Sequence, residues 1–206
     1  MSADLDERLD ALALEWRVSL STAARSGVAG YVRTLLTWNA KVNLTAARDA
    51  TDVVGEHVVD AFAMARLVPP AAAVCDVGAG GGLPGIPFAL LRPDCVVTMV
   101  EPRAKRVAFL RTAVRECRLA TAQVLRARAE ELPRQGFDVA GARATFGPEE
   151  WLAVGATLVR PGGLVLVFSA TPVAASGALV RAEAVEYRTA AGHARWLGGF
   201  RAGATP

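Results

Sequence analysis

The stretch VCDVGAGGGLPGIP, residues 74–87, decides how this chain is read. It opens on a short apolar run, places an acid at Asp76, and then sets five glycines within eight residues: Gly78, Gly80, Gly81, Gly82 and Gly85. Glycine lets the backbone turn sharply and approach a ligand, and the helix that follows begins with unpaired N–H groups. A strand, a ligand-binding turn and a helix are expected in that order, with a nucleotide-like ligand at the turn. Two registers compete, because Gly80, Gly82 and Gly85 also satisfy the dinucleotide pattern G-x-G-x-x-G. The glycines alone do not separate them. Asp76 does: a dinucleotide turn puts its first glycine straight after the apolar strand, whereas a carboxylate two residues before Gly78 suits a ligand with a cationic amino group, such as S-adenosylmethionine. Pro84 and Pro87 point to a helix that starts late. Glu101, closing the run VVTMV at 96–100, can accept both hydroxyls of an adenosine ribose in either register.

Outward from this loop, short β-branched runs alternate with helical segments. The runs Ala73–Val77, Cys95–Val100, Ala122–Ala127, Phe137–Ala142 and Gly163–Ser169 are spaced as parallel strands joined by crossover helices. Two further strands are expected near Ala184–Thr189 and Arg195–Arg201. The helix over Arg103–Arg118 turns Val107, Leu110, Val114 and Cys117 inward and sets Arg111, Arg115 and Arg118 on a neighbouring face. Before Pro70 the period is helical throughout. Leu5, Leu9, Leu12 and Trp16 mark one short helix; Val28, Tyr31, Val32, Leu35 and Leu36 mark a second, capped at Ser21 or Thr22. A third starts after Asp49 or Thr51, carries Val54, Val58, Ala61 and Ala65 inward, and stops at Pro69-Pro70. The reading is an α/β fold in one domain, with a helical cap over 1–69 and a sheet core over 70–206.

Composition narrows the class. A chain of 206 residues with 52% hydrophobic and 21% charged residues is that of a folded globular protein, not a disordered or collagen-like one. The longest uncharged stretch, Pro161 to Val180, is broken by Gly162, Gly163, Pro172 and Gly177, which argues against a membrane span. Near the N-terminus Asp4, Asp6, Glu7, Asp10 and Glu15 outnumber Arg8, the reverse of a signal peptide, so a cytoplasmic protein is expected. Cys75, Cys95 and Cys117 lack metal-ligand spacing and read as buried free thiols; no metal site is expected. The net charge of +3 does not by itself imply a nucleic-acid partner, although 21 of the 23 basic residues are arginine.

With these pieces in place the chain resembles one family, the bacterial 16S ribosomal RNA guanine-N7 methyltransferases, also called glucose-inhibited division protein B. The resemblance rests on WNAKVNLTA at 38–46, the helix with His57 and Asp60, DVGAGGGLPGIPFAL at 76–90, EPRAKRVAFLR at 101–111, RAEEL at 128–132 and FDVAGARA at 137–144. It implies a class I S-adenosylmethionine-dependent methyltransferase sheet with an N-terminal helical extension, and a partner that is 16S ribosomal RNA, the small subunit or an assembly intermediate, met in its 530-loop region by a monomer. Carried over by position, Gly78 and Leu83 contact the cofactor, Ala129 and Glu130 flank the adenine, and Arg143 lines the site, counted both with the cofactor and as the residue assigned to the reaction; Asp76, Gly80, Gly82 and Glu101 complete the expected cofactor set. Asn43, His57, Asp60, Lys105 and Arg106 fall on the RNA side.

Each has a plainer alternative. His57 and Asp60 also read as a local helix contact, Asn43 as a turn cap with Thr45, and Lys105-Arg106 as a solvated helix start. The chain also departs from the family: Glu101 replaces its usual aspartate, Thr145-Phe146-Gly147 its Phe-Ala-Ser-type segment, and Ser169-Ala170 the Lys-Gly after the fifth strand. If a lost lysine contact is replaced, Arg181, Arg188, Arg195 and Arg201 are the candidates. These departures leave two other functions open, a methyltransferase acting on another RNA or a small molecule, and a non-catalytic RNA- or ribosome-binding protein.

Overall fold

The computed structural model describes residues 3–202. Helix α1 (Ala3–Trp16) is followed by α2 (Thr22–Val42), where the Ser21 side chain accepts the Ala24 N–H at 3.1 Å, as an N-cap should. Helix α2 is longer than its apolar period suggests. It continues to Val42 because Trp38 packs edge-on against Phe109, with centroids 5.9 Å apart, and it ends where Asn43 takes a left-handed φ of 47°. The third helical segment is one continuous run in three parts: α3 (Ala50–Val53), capped by Asp49; a π-helical turn (Val54–Val58); and α4 (Val59–Leu67). Every residue from Val58 to Met64 is buried, so this segment is enclosed rather than amphipathic.

The core is a seven-stranded sheet in the order β3-β2-β1-β4-β5-β7-β6. Its strands are β1 (Ala73–Val77), β2 (Val96–Val100), β3 (Ala122–Leu125), β4 (Phe137–Ala142), β5 (Val159–Ser169), β6 (Leu179–Arg188) and β7 (Ala194–Ala202). Strands β1 to β5 pair in parallel, and β7 runs antiparallel to both β5 and β6. Helices α5 (Gly85–Leu91), α6 (Ala104–Glu116) and α7 (Pro148–Leu158) connect the parallel strands. The expected strands are present. Strand β5 begins four residues early, where Val159 pairs with Phe137 of β4 ahead of a register shift, and β6 begins at Leu179 because its antiparallel pairing with β7 satisfies backbone groups whatever the side-chain pattern.

Side chains of α1, α2, α4, α5 and α6 join one face of the sheet in a single buried cluster that includes Leu9, Tyr31, Phe62, Phe88 and Phe109. On the other face α7 packs through Trp151, whose Nε1–H donates to the Leu166 carbonyl at 2.7 Å. Cys75 and Cys95 are buried free thiols; Cys117 is only half-buried, because α6 ends beside it and its flank opens on solvent.

Register positions the site. Val77 pairs with Val100 and Ala142, and Ala142 pairs with Val167. The residues one step beyond are Gly78, Glu101, Arg143 and Phe168, which therefore line up along the C-terminal edge. The neighbours of β1 are reached by connections running in opposite directions, and that divergence opens a crevice at the strand ends.

Candidate active site

The glycine loop leaves β1 with Gly78 and Ala79 both donating to the Val100 carbonyl, at 2.8 and 3.1 Å, so it first folds back over β2. Gly78 and Gly80 have φ of 72° and 53°, the left-handed region that side chains resist. A Cβ at Gly78 would collide with Thr145, which folds over the loop from the end of β4, whereas a Cβ at Gly80 would project into space bounded only by Gly78 O at 3.6 Å and Arg106 Nη1 at 3.7 Å. The late start of α5 follows the expectation: Pro84 is its N-cap and Gly85 its first residue. Beneath the loop the Tyr31 hydroxyl, fully buried on α2, donates to the Gly81 carbonyl, so the helical cap holds the loop directly.

Two acids sit at the ends of neighbouring strands. Asp76 is 3% exposed and accepts the Gly85 N–H at 3.2 Å. Burial pushes its carboxyl up to about 6, opposed by the Arg143 charge. Glu101 is 2% exposed and accepts the Gly80 N–H at 3.1 Å and the Arg103 N–H at 2.9 Å, which leaves one lone pair on each oxygen. A buried carboxyl short of a counter-cation, a second acid with spare acceptors, and open space over Gly80 fit a ligand that is cationic at one end and carries hydroxyls at the other. They suit a pyrophosphate poorly. Ala129 is buried in a 3-10 turn (Ala129–Glu131) after β3 and packs in the same cluster as Val77 and Val100, while the Glu130 side chain is exposed. Leu83 is buried in the loop itself.

Linkage gives this arrangement a pH signature. An ammonium held at Asp76 would favour its ionised form, whereas the free protein below pH 6 would first have to release a proton, so under that expectation affinity for S-adenosylmethionine is flat near pH 7 and falls by up to about tenfold per unit between pH 6 and 5. In the free chain this carboxyl's own contribution to stability is fully present below its ordinary value of 3.8 and is lost as pH rises from there through about 6, opposite in sign to that of Asp94, which a hydrogen bond from Arg92 holds low. Calorimetric titrations from pH 5 to 7.5 check the first effect; Asp76→Asn should abolish the slope.

A second constellation lies across β4. The Arg143 Nη1 donates to Asp60 Oδ2 at 2.7 Å and to His57 Nδ1 at 3.1 Å. Because arginine only donates, His57 accepts at Nδ1 and carries its proton on Nε2, from which it donates to Thr45 Oγ1 at 3.0 Å. Burial first, and then the Arg143 charge, hold the His57 ring down to about 4, so it is neutral at pH 7. Asp60, 1% exposed, also accepts the Tyr187 hydroxyl at 2.6 Å from β6. His57 and Asp60 thus meet through Arg143 rather than as a local pair. Arg143, Asp60 and His57 line a cleft of about 330 Å³ with Ala144, Phe168, Ser169, Ala170 and Arg195.

The remaining expected residues divide. Arg106 leans over the loop, its Nη1 3.8 Å from Glu101 Oε2, whereas Lys105 beside it is exposed. Asn43 is exposed and shapes the end of α2; the contacts to the next turn come from Asn39, whose side chain accepts the Leu44 and Thr45 N–H groups and donates to the Thr45 carbonyl. Tyr187, Thr45 and Asn39 carry no motif of their own, although Asn39 and Thr45 fall inside WNAKVNLTA. Of the four arginines weighed for the altered fifth-strand end, Arg195 borders Ser169 and Ala170 in the cleft; Arg188 lines a neighbouring hollow with Ala170 and bonds the Gly192 carbonyl, Arg201 bonds the Gly162 carbonyl, and Arg181 is exposed on β6.

A sheet in this order, with β7 reversed, a glycine loop after β1 and buried acids at the ends of β1 and β2, is that of a class I S-adenosylmethionine-dependent methyltransferase. Solved structures share the fold: an Aquifex aeolicus SAM dependent methyltransferase, with TM-score 0.51 and 14% identity over 65% of this chain and 83% of that one; and Pyrococcus horikoshii TYW2 in complex with MeSAdo, with TM-score 0.56 and 14% identity over 70% of this chain and 62% of that one. The chain belongs to the rRNA small subunit methyltransferase G family, whose family model matches residues 25–183. A Xanthomonas axonopodis pv. citri relative, "Ribosomal RNA small subunit methyltransferase G", is 40% identical over 149 residues, 72% of this chain and 70% of its own.

Proposed function

We propose that this rRNA methyltransferase transfers a methyl group to N7 of a guanine in 16S ribosomal RNA, in the 530-loop region, working in the cytoplasm as a monomer. The observation that carries this reading is the adjacency, across β1 and β4, of a buried acidic cradle and a cleft lined by Arg143 and Arg195. S-adenosylmethionine, when bound, supplies a methyl group on a positively charged sulfur. Asp76 would hold its ammonium, Glu101 its ribose hydroxyls, and the Gly78–Leu83 turn its body, with Ala129 and Glu130 beside the adenine. Guanine N7 presents an in-plane lone pair and loses no proton on attack, so the protein needs no general base. What remains is alignment and exclusion of water. Neutral His57, whose Nδ1 is already held by Arg143, suits that role, and Asp60 suits it by pairing with Arg143. Mass spectrometry of ribosomal RNA from cells with and without the gene tests the reading: 7-methylguanosine in small-subunit RNA should disappear with the protein, and an unchanged level would refute it.

RNA contacts are expected from Lys105, exposed at the start of α6 and outside the cleft, and from Arg195 at the cleft itself. Neutralising either to Gln should weaken binding of a small-subunit RNA fragment and lower the slope of log K against log salt by about 0.7–0.9. Binding isotherms at several salt concentrations check this; an unchanged slope would return the residue to the solvated surface.

A further inference from the structure

The cleft beside β4 is lined by charged groups that donate hydrogen bonds. Arg143 has five N–H groups, and the two on Nη1 are taken by Asp60 and His57. Its Nη2 and Nε have no hydrogen-bond partner among the described residues, and the side chain keeps 22% exposure on the cleft. The two strong acceptors nearby already hold donors: Asp60, itself 1% exposed, accepts from Arg143 on one oxygen and from Tyr187 on the other, and His57 Nδ1 accepts from Arg143. Arg195 adds a second donor group, and the Ser169 hydroxyl proton goes to the Thr171 carbonyl, leaving that oxygen as a neutral, weaker acceptor. Phe168 supplies an apolar wall, its ring lying across Gly141 of β4, where a Cβ would meet it at 4.0 Å. An aromatic wall and a fixed donor fork are what an unstacked base needs.

From this geometry, and resting on the guanine-N7 reading, we infer that Arg143 is the specificity-determining residue: it donates to O6 of the target guanine and thereby refuses adenine. The N7 lone pair has to face the incoming methyl group and cannot also accept a hydrogen bond. O6 is the acceptor next to it on the same base edge. Adenine carries an amino group in that place, which would set donor against donor in a partly buried cleft. Asp60, His57 and Tyr187 do not touch the base. They are positioning residues that hold the fork in one orientation from three separate segments: α4, the π-helical turn and β6.

The test is methylation of a small-subunit RNA in which the target guanine is replaced by inosine, which keeps N7 and O6 but lacks the 2-amino group, or by 2,6-diaminopurine, which carries an amino group in place of O6. Inosine should be methylated within a few-fold of guanine, and 2,6-diaminopurine at least about tenfold more slowly. Tyr187→Phe should narrow that ratio and lower kcat while leaving S-adenosylmethionine affinity by calorimetry unchanged. Inosine refused, or 2,6-diaminopurine accepted at the guanine rate, would overturn the role of Arg143. A discrimination ratio untouched in Tyr187→Phe would overturn the positioning role of Tyr187. If the guanine RNA itself gains no 7-methylguanosine, the N7 reading falls, and this inference with it.

Discussion

Gly80→Val should weaken S-adenosylmethionine binding by at least about tenfold while the protein stays folded. Gly80 holds a φ of 53°, where a β-branched residue is strained by about 1–3 kcal/mol, and the loop would relieve that strain by abandoning its shape. The shape matters because the Gly80 N–H is donated to Glu101, the acid at the end of β2. The new side chain would also enter the open side of the loop, since ordinary contact distances to Gly78 O and Arg106 Nη1 leave that side free for a ligand. Strain and obstruction act together, so Gly80→Ala should show an intermediate loss. Titration calorimetry on purified protein measures both variants, with thermal melts alongside. Wild-type affinity in Gly80→Val would mean that the cofactor does not lie over this loop.

Asp60→Asn is the second large effect expected. Asp60 is 1% exposed and takes two hydrogen bonds, 2.7 Å from Arg143 and 2.6 Å from the Tyr187 hydroxyl. The amide keeps the size but removes the charge, and it presents N–H donors where two donors already point in. Removing one partner of a fully buried ion pair costs about 3–5 kcal/mol. Arg143 retains some solvent access, so a loss of about 2–4 kcal/mol is expected here, read as a lower midpoint in urea. Turnover should fall more than stability implies, at least about tenfold at temperatures where the variant is folded, because the freed guanidinium no longer points one way. Cofactor affinity should change little, since Asp76 on β1 and Glu101 after β2 are held by backbone N–H groups and not by Asp60. A variant of normal stability and turnover would show that the Asp60 contacts to Arg143 and Tyr187 are dispensable.

The local signals in the chain carried most of the fold. Five strands were legible because β-branched runs of strand length alternate with segments of helical period, and parallel strands buried on both faces leave that mark. Ser21 and Asp49 were legible as caps because a cap acts within three residues of itself. The edges of β5 and β6 were not, since backbone pairing with a distant strand extends a strand past its own pattern. Nor was the enclosed character of α4, whose burial depends on what the sheet and α1 lay against it.

The amino-acid sequence by itself determined the glycine turn, the acid before it and the acid one strand later, because these requirements are local: a sharp turn needs glycine, and a strand end presents the residue that follows it. The tertiary structure alone decided how Arg143 is used. Its partners come from residues 57, 60 and, through Asp60, 187, and no spacing in the chain announces that a tyrosine on β6 supports an arginine after β4. It also decided which of four C-terminal arginines reaches the cleft, because antiparallel pairing of β7 with β5 sets Trp196 opposite Ser169 and so brings Arg195 to the same edge. Hydrogen bonds and charges act over a few ångströms, and only folding brings residues more than a hundred positions apart within that range.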